Sequence, residues 1–333
     1  MKRTLASILI VILAVTAVVS TSCEKKTARL LYWNIQNGMW SGQDDNYNTF
    51  ASWVKGMNPD ICVFAEAQTI YINGTATKCA IEDRYLANNN DELSGWRELA
   101  GRYGHKYVFL GGHRDNYPQV ITSKYPIIEV ERITGNTDAL VSHGAGWAKI
   151  KVAGKEINVV TLHTWPQAYS FYAKKEDERA KSREEYGGDI FRAIEMEYIC
   201  KHTINAVPGS ENQYWMMMGD FNSKSQVDTV YSKVKHPSTN LLVHKYIIEN
   251  TPYKDVIKEP RTEYISSTAP NKYKSGRIDF VYLTEPLLKH VTKAEIIWDD
   301  YTTPSRAVDE NGNITSNFWH PSDHLPIVVD FSF

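Results

Sequence analysis

The chain has 333 residues, 42% of them hydrophobic and 12% aromatic, with 37 basic and 39 acidic side chains and a formal net charge of −2. This apolar content excludes an intrinsically disordered chain. The balanced charge gives none of the global basic footprint usual in nucleic-acid binders, although a local basic groove stays compatible with it.

The chain opens on Lys2 and Arg3, followed by an apolar run from Leu5 to Val19. That run has the length of a signal h-region and is short for a bilayer span. Ser20-Thr21-Ser22 then leads into Cys23, as in a bacterial lipoprotein signal, where Cys23 becomes the lipidated first residue. Ser20 departs from the Leu usual at that position, and an ordinary secretory peptide is the alternative. We expect 1–22 to be removed, 23–28 to form a tether and 29–333 to fold as one catalytic domain. The expected location is the bacterial cell envelope, with the protein exported and held at a membrane through Cys23. Loss of Lys2 and Arg3 would take the net charge to about −4.

Ala28 to Ile35 reads as the first strand, and Phe50 to Met57 as a helix ended by Asn58-Pro59. Asp60 to Glu66 is an almost unbroken apolar run, the pattern of a strand buried on both faces. Cys62 within it reads as a small buried hydrophobe. Residues 67–92 are polar and irregular. Leu93 to Tyr103 has helical spacing, with Trp96, Leu99 and Ala100 on one side. Lys106–Leu110 and Gln119–Ser123 form paired strands, and Lys124-Tyr125-Pro126 a turn. Gly146–Val152 and Glu156–Leu162 form a hairpin across Ala153-Gly154.

A charged helical region follows, from Tyr172 to Asn205, broken at Gly187-Gly188. Its second half is expected to bury Ile190, Phe191, Ile194 and Tyr198. Tyr214–Gly219, Arg277–Leu283 and Ile327–Phe331 are the remaining strands. Strands separated by helices, with hairpins among them, indicate a layered α/β protein. A Cys79–Cys200 disulfide is one option for an exported chain. No Cys-x-x-Cys pair is present, which argues against structural zinc.

Several strands stop at residues suited to phosphate chemistry. Glu66 ends the buried run, where a carboxylate needs a partner: a hard cation such as Mg²⁺, or a Lys or Arg. Asn34 closes Leu30-Leu31-Tyr32-Trp33, a position that also suits a turn former. His163 ends Asn158–Leu162, and His324 follows Asp323 near another strand. Two imidazoles can hold phosphate oxygens and move protons near neutral pH, although a single strand-end His is more often structural. In Gly219-Asp220-Phe221-Asn222, Asp220 and Asn222 would face one side if extended; a β-turn is the alternative. Asp323 is a candidate metal ligand. Asp279 could fix the tautomer and charge of one histidine.

Asn34, Glu66, His163, Asp220, Asn222, Asp279, Asp323 and His324 match, in order, the signature positions of the endonuclease/exonuclease/phosphatase superfamily, which the chain resembles from about residue 29 to residue 331. Ser123-Lys124-Tyr125-Pro126-Ile127 is similar to that family's core strand and turn. The resemblance implies a four-layer sandwich, two packed mixed β-sheets flanked by helices. It also implies in-line attack of water on phosphorus, with Mg²⁺ or Mn²⁺ held by Glu66 and Asp323 and with Asn34 beside the metal and the phosphate. Asp220 would orient or deprotonate the water, while Asn222, His163 and His324 would steady the phosphorane oxygens.

The mild acidity and membrane tether favour a small or lipid-linked phosphoester, cleaved by a monomer, over a long nucleic acid bound through many phosphates. Lys274 and Arg277 are candidate phosphate contacts, equally readable as part of a solvated loop. A secreted nuclease is the first alternative. A non-catalytic surface binding protein is the second, although all eight positions keep reactive side chains.

Overall fold

The computed structural model describes residues 26–67, 71–72, 75–76, 94–112, 117–136, 139–229, 241–257, 277–316 and 318–333. The expectations for Cys23, Cys79, Lys274 and the signal segment fall outside these residues.

Fourteen strands are described. The first sheet has the order β13 (Val291–Ile296), β14 (Ile327–Ser332), β1 (Thr27–Asn34), β2 (Ile61–Ala65), β6 (Val120–Ser123), β5 (Tyr107–Leu110). The second has the order β11 (Tyr253–Asp255), β12 (Asp279–Thr284), β10 (Trp215–Asp220), β9 (Lys155–His163), β8 (Leu140–Val152), β7 (Ile127–Gly135). β3 (Tyr71–Ile72) and β4 (Thr75–Ala76) form a separate ribbon. Each large sheet has one parallel pair, β1 with β2 and β9 with β10, flanked by antiparallel neighbours. Both sheets are therefore mixed, as expected.

The period-two alternation of β1 explains the layering. Leu30 and Tyr32 point into the core between the sheets, with Val63, Met216, Met218, Val281 and Val329. Leu31 and Trp33 point outward, under helices α2 (Asn48–Met57) and α3 (Ser94–Arg102), with Phe50, Val54, Trp96 and Leu99. On the second sheet, Val160, Leu162, Trp215 and Met217 face outward to α5 (Gly187–Lys201) and α7 (Leu242–Asn250). Four layers result: helices, sheet, sheet, helices. Short segments α1 (Gln36–Met39), α6 (Gln226–Thr229) and α8 (Glu285–Leu288) complete the helices, with α4 (Glu176–Glu184) ahead of α5. Gly219 allows β9 and β10 to approach, since a Cβ there would stand 2.2 Å from the Leu162 carbonyl oxygen. None of the described helices is long and apolar enough to cross a membrane.

Three local expectations change. β7, β11 and β13 were not foreseen; β7 and β13 are largely exposed edge strands whose mixed polar sequences carry little apolar alternation. The break between α4 and α5 falls at Tyr186, in the left-handed region at φ 57°, and Gly187-Gly188 form the first turn of α5. The same helix departs in part from the expected burial: Phe191 is buried as expected and Tyr198 is half-buried. Ile190 and Ile194 are 43% and 45% exposed, whereas Asp189, Arg192 and Glu195 are buried beside Phe191, Met196 and Ile199. Cys62 and Cys200 are both buried free thiols.

Candidate active site

Both parallel pairs end at the same edge of the sandwich. Asn34 ends β1, Glu66 follows β2, His163 ends β9 and Asp220 ends β10. Asp279 starts β12 opposite Asp220, and His324 enters from the loop before β14. Six of the signature residues thus reach one site because two unlike sheets present strand ends together.

Asp220 is the hub. Its Oδ2 lies 3.7 Å from Nε2 of His163 and 3.7 Å from Nε2 of His324. Asn34 Nδ2 donates to the same oxygen at 3.1 Å and to Glu66 Oε1 at 3.3 Å. Asn34 therefore presents its amide nitrogen to the carboxylates. Its oxygen accepts the Gln36 N–H. This orientation makes Asn34 a bridge between the carboxylates of Glu66 and Asp220. Asp220 Oδ1 accepts the Asn222 N–H at 2.8 Å, and Asn222 Nδ2 donates to the Thr164 carbonyl. The segment turns sharply here, with Asn222 at φ 45°, so the two residues join through an Asx turn and do not share an extended face.

His324 is fixed from three directions, through its ring, its carbonyl and its N–H. Its Nδ1 and Asp279 Oδ2 are 2.7 Å apart, and Tyr32 donates its hydroxyl to Asp279 Oδ1 at 2.7 Å. Trp33 Nε1 donates to the His324 carbonyl, and the His324 N–H donates to Ser322 Oγ. Asp323 lies alongside, 3.9 Å from His324 Nε2, with its side chain 30% exposed. His163 lies against His143, with the rings tilted by 35° and their centroids 4.5 Å apart.

Electrostatics separates the two imidazoles. Burial, reinforced by His143 and His324, holds His163 well below the usual imidazole range. Burial also opposes charge on His324, but the carboxylates of Asp279, Asp323 and Asp220 hold it well above that range. Asp220 is pushed up to about 8, by burial first and then by Asp279. A neutral imidazole, a cationic imidazole and a carboxylate of near-neutral pKa thus converge on one point.

Glu66 sits in the left-handed region at φ 52°, a costly conformation for a residue other than Gly or Asn. It accepts only neutral donors: the Asn34 amide and the Asn37 N–H. Among the described residues it forms no ion pair with Lys or Arg. Burial and then Asp323 act to raise its pKa, against His324. A partly buried carboxylate beside a second carboxylate, without a basic partner, suits a hard divalent cation. Asp220, Asp279 and His324 also bring candidate ligand atoms within 4.8 Å of one another. In that trio both Asp279 oxygens already accept from Tyr32 and His324, so it reads as a hydrogen-bonded relay. Glu66 and Asp323 are the better cation ligands.

Arg277 does not face substrate. Its side chain is fully buried, paired with Asp228 and Asp255, and packed over Phe280 at 3.9 Å. It braces the core behind β12. Tyr32 was missed as a site residue because a tyrosine in an apolar strand reads as core; the inward alternation that places it opposite Asp279 needs the second sheet to be seen.

The family profile described as Endonuclease/Exonuclease/phosphatase family matches residues 31–324. No curated protein matches the chain. A solved endonuclease/exonuclease/phosphatase family protein from Bacteroides thetaiotaomicron is similar at 16% identity and TM-score 0.57, covering 93% of this chain and 99% of its own. An AP endonuclease from Archaeoglobus fulgidus is similar at 17% identity and TM-score 0.54, covering 91% and 99%. Truncated TDP2 from Caenorhabditis elegans is similar at 14% identity and TM-score 0.50, covering 92% and 98%. The profile match spans most of the chain, and it therefore belongs to the endonuclease/exonuclease/phosphatase family, a superfamily of metal-dependent phosphoesterases and nucleases.

Proposed function

We propose that the protein hydrolyses a small or lipid-linked phosphoester by in-line attack of water, exported to the cell envelope and anchored there through Cys23. The observation that carries the chemistry is the convergence of His163 and His324 on Asp220, each at 3.7 Å, with Asp279 behind His324.

Asp220 accepts the proton of the attacking water, a task suited to a carboxylate whose pKa is raised toward neutrality. His324, held cationic by Asp279, stabilises charge growing on a phosphoryl oxygen. His163 and the Asn222 amide orient the remaining oxygens. A Mg²⁺ or Mn²⁺ ion on Glu66 and Asp323 would neutralise charge on the phosphoryl or leaving oxygen. The mild acidity of the chain supports a substrate with few phosphates. The lipoprotein-like N-terminus supports a lipid-linked one, on a monomeric enzyme.

The similarity to an AP endonuclease and to TDP2 favours a second reading, a nuclease. One experiment separates the two. The chain is assayed on bis-p-nitrophenyl phosphate, p-nitrophenyl phosphate, sphingomyelin and plasmid DNA, with Mg²⁺, Mn²⁺ or EDTA. EDTA-sensitive turnover lost in His324→Ala supports the chemistry, and preference for plasmid DNA would replace the small-substrate reading. Turnover unaffected by EDTA would remove the metal. The anchor is tested separately: Cys23→Ser releases the protein from membranes, and continued association would remove the lipoprotein assignment.

A further inference from the structure

Helix α5 buries three charged residues while two of its isoleucines stay exposed, and this arrangement needs a cause. Asp189, Arg192 and Glu195 are spaced i, i+3 and i+6, which places them along one side of the helix. They are 2%, 8% and 0% exposed, whereas Ile190 and Ile194 remain outside. Buried charges are costly to keep, and an aliphatic stripe was available on the same helix.

Between them the charged residues hold three segments of the site. Asp189 Oδ1 accepts the Ser223 hydroxyl at 2.5 Å, directly after Asn222, while its Oδ2 accepts the Leu242 N–H at 2.9 Å. Arg192 Nη1 donates to the carbonyls of Trp165 and Gln167 at 2.8 and 2.9 Å, in the loop after His163. Glu195 Oε2 accepts the Trp165 N–H at 2.9 Å. Its other oxygen accepts both the N–H and the hydroxyl of Ser142 at 2.6 Å, next to His143, which lies against His163. Gly188 lets the 167–168 loop lie against the helix, since a Cβ there would stand 2.2 Å from the Gln167 carbonyl oxygen.

We propose that α5 is a positioning brace for the reaction proposed above, in which Asp189, Arg192 and Glu195 hold the three segments that carry Asn222, His163 and His143. None of the three charged side chains touches the reacting atoms. They act through His163 and Asn222, and Glu195 acts mainly through His163, which it flanks from both sides.

The test is a double-mutant cycle on the full chain in detergent, with bis-p-nitrophenyl phosphate and Mg²⁺ as the probe. Glu195→Gln keeps the size of the side chain. Its single carbonyl oxygen cannot serve both Ser142 and Trp165, so one N–H meets an amide NH₂. The brace predicts a loss in kcat of about 10- to 100-fold, the scale of a misplacement near 1 Å, with KM within about threefold. In a His163→Ala background the same change costs less than about twofold, because the residue it positions is gone. Equal losses in both backgrounds, or no loss beside intact His163, would overturn the brace. If Glu195→Gln does not fold by circular dichroism, Ser142→Ala takes its place, with a few-fold kcat loss expected only where His163 is present. A wild-type chain without turnover would count against the phosphoesterase reading, whereas wild-type turnover matched by Glu195→Gln would count against the brace alone.

Discussion

Asp220 and Asp279 stand directly opposite each other in the antiparallel register of β10 and β12. Like charges so placed are destabilising in an ordinary sheet. Here each carboxylate has its own set of donors: Asn34 and the Asn222 N–H for Asp220, Tyr32 and His324 for Asp279. Burial raises the pKa of Asp220 and the opposition adds to it; against burial, the same carboxylates help hold a cation on His324. A pairing that would be a fault in a structural sheet is the means of separating an acid from a base.

The Tyr32–Asp279–His324 chain makes a graded prediction. Tyr32→Phe removes one hydrogen bond to a charged group, an effect of about 1.5–3 kcal/mol, and lowers kcat about tenfold with the fold intact. Asp279→Asn also removes the charge and the tautomer control, with a loss of about 10³- to 10⁴-fold. Steady-state kinetics on both variants checks the order. A Tyr32→Phe enzyme as active as wild type would show that Asp279 needs no second partner.

Glu66→Gln keeps the shape but loses the charge and one of the two acceptor oxygens that serve Asn34 and Asn37. Mg²⁺ affinity, read by calorimetric titration, falls by at least the roughly 10- to 100-fold that even an outer partner of a ligand commands. Activity falls with it, while the thermal midpoint changes little. Unchanged Mg²⁺ affinity would move the ion away from Glu66.

Arg277→Met tests the reassignment of that residue to the core. It leaves Asp228 and Asp255 without their shared cation, a loss of about 3–5 kcal/mol for a broken buried pair. Thermal melts fall by roughly 10 °C at the scale of a large domain, and KM of the folded fraction is unchanged. A raised KM with an unchanged melt would return Arg277 to the substrate.

Two buried histidines outside the cluster of signature residues set an acid limit on stability. Burial lowers His244 to about 3 and His105 to about 4. Both lie below the unfolded value near 6.5, so the unfolded chain binds more protons between pH ~6.5 and pH ~3–4. Stability from these groups is complete above that window and is lost as pH falls through it, on the order of a few kcal/mol together. Melts between pH 7 and pH 4 measure the decline. His105→Gln, beside Thr122 and Pro59, should flatten the curve; an unchanged slope would exclude His105 as a cause.

The strands that carry the site were legible because they are buried on both faces, so Ile61–Ala65 and Trp215–Gly219 announce themselves as apolar runs. Their terminal polar residues then stand out. What stayed hidden depends on partners distant in sequence. Tyr32 meets Asp279 across 247 positions. Arg277 reads as a loop cation until Asp228 and Asp255 enclose it. On α5 the apolar periodicity found Phe191, but it failed at Ile190 and Ile194, because backbone groups of the site loops required charged partners at Asp189, Arg192 and Glu195.

The pairing of β1 with β14 sets an order in time as well as in space. Tyr32 faces Ile327 across that pair, and the Trp33 indole reaches the His324 carbonyl. A ribosome supplies β1 long before β14. Until residues 324–332 emerge, the central strand of the first sheet lacks a neighbour on one side, and Asp279 has no imidazole to hold. The candidate site therefore assembles only once His324 and β14 have joined the strands made before them.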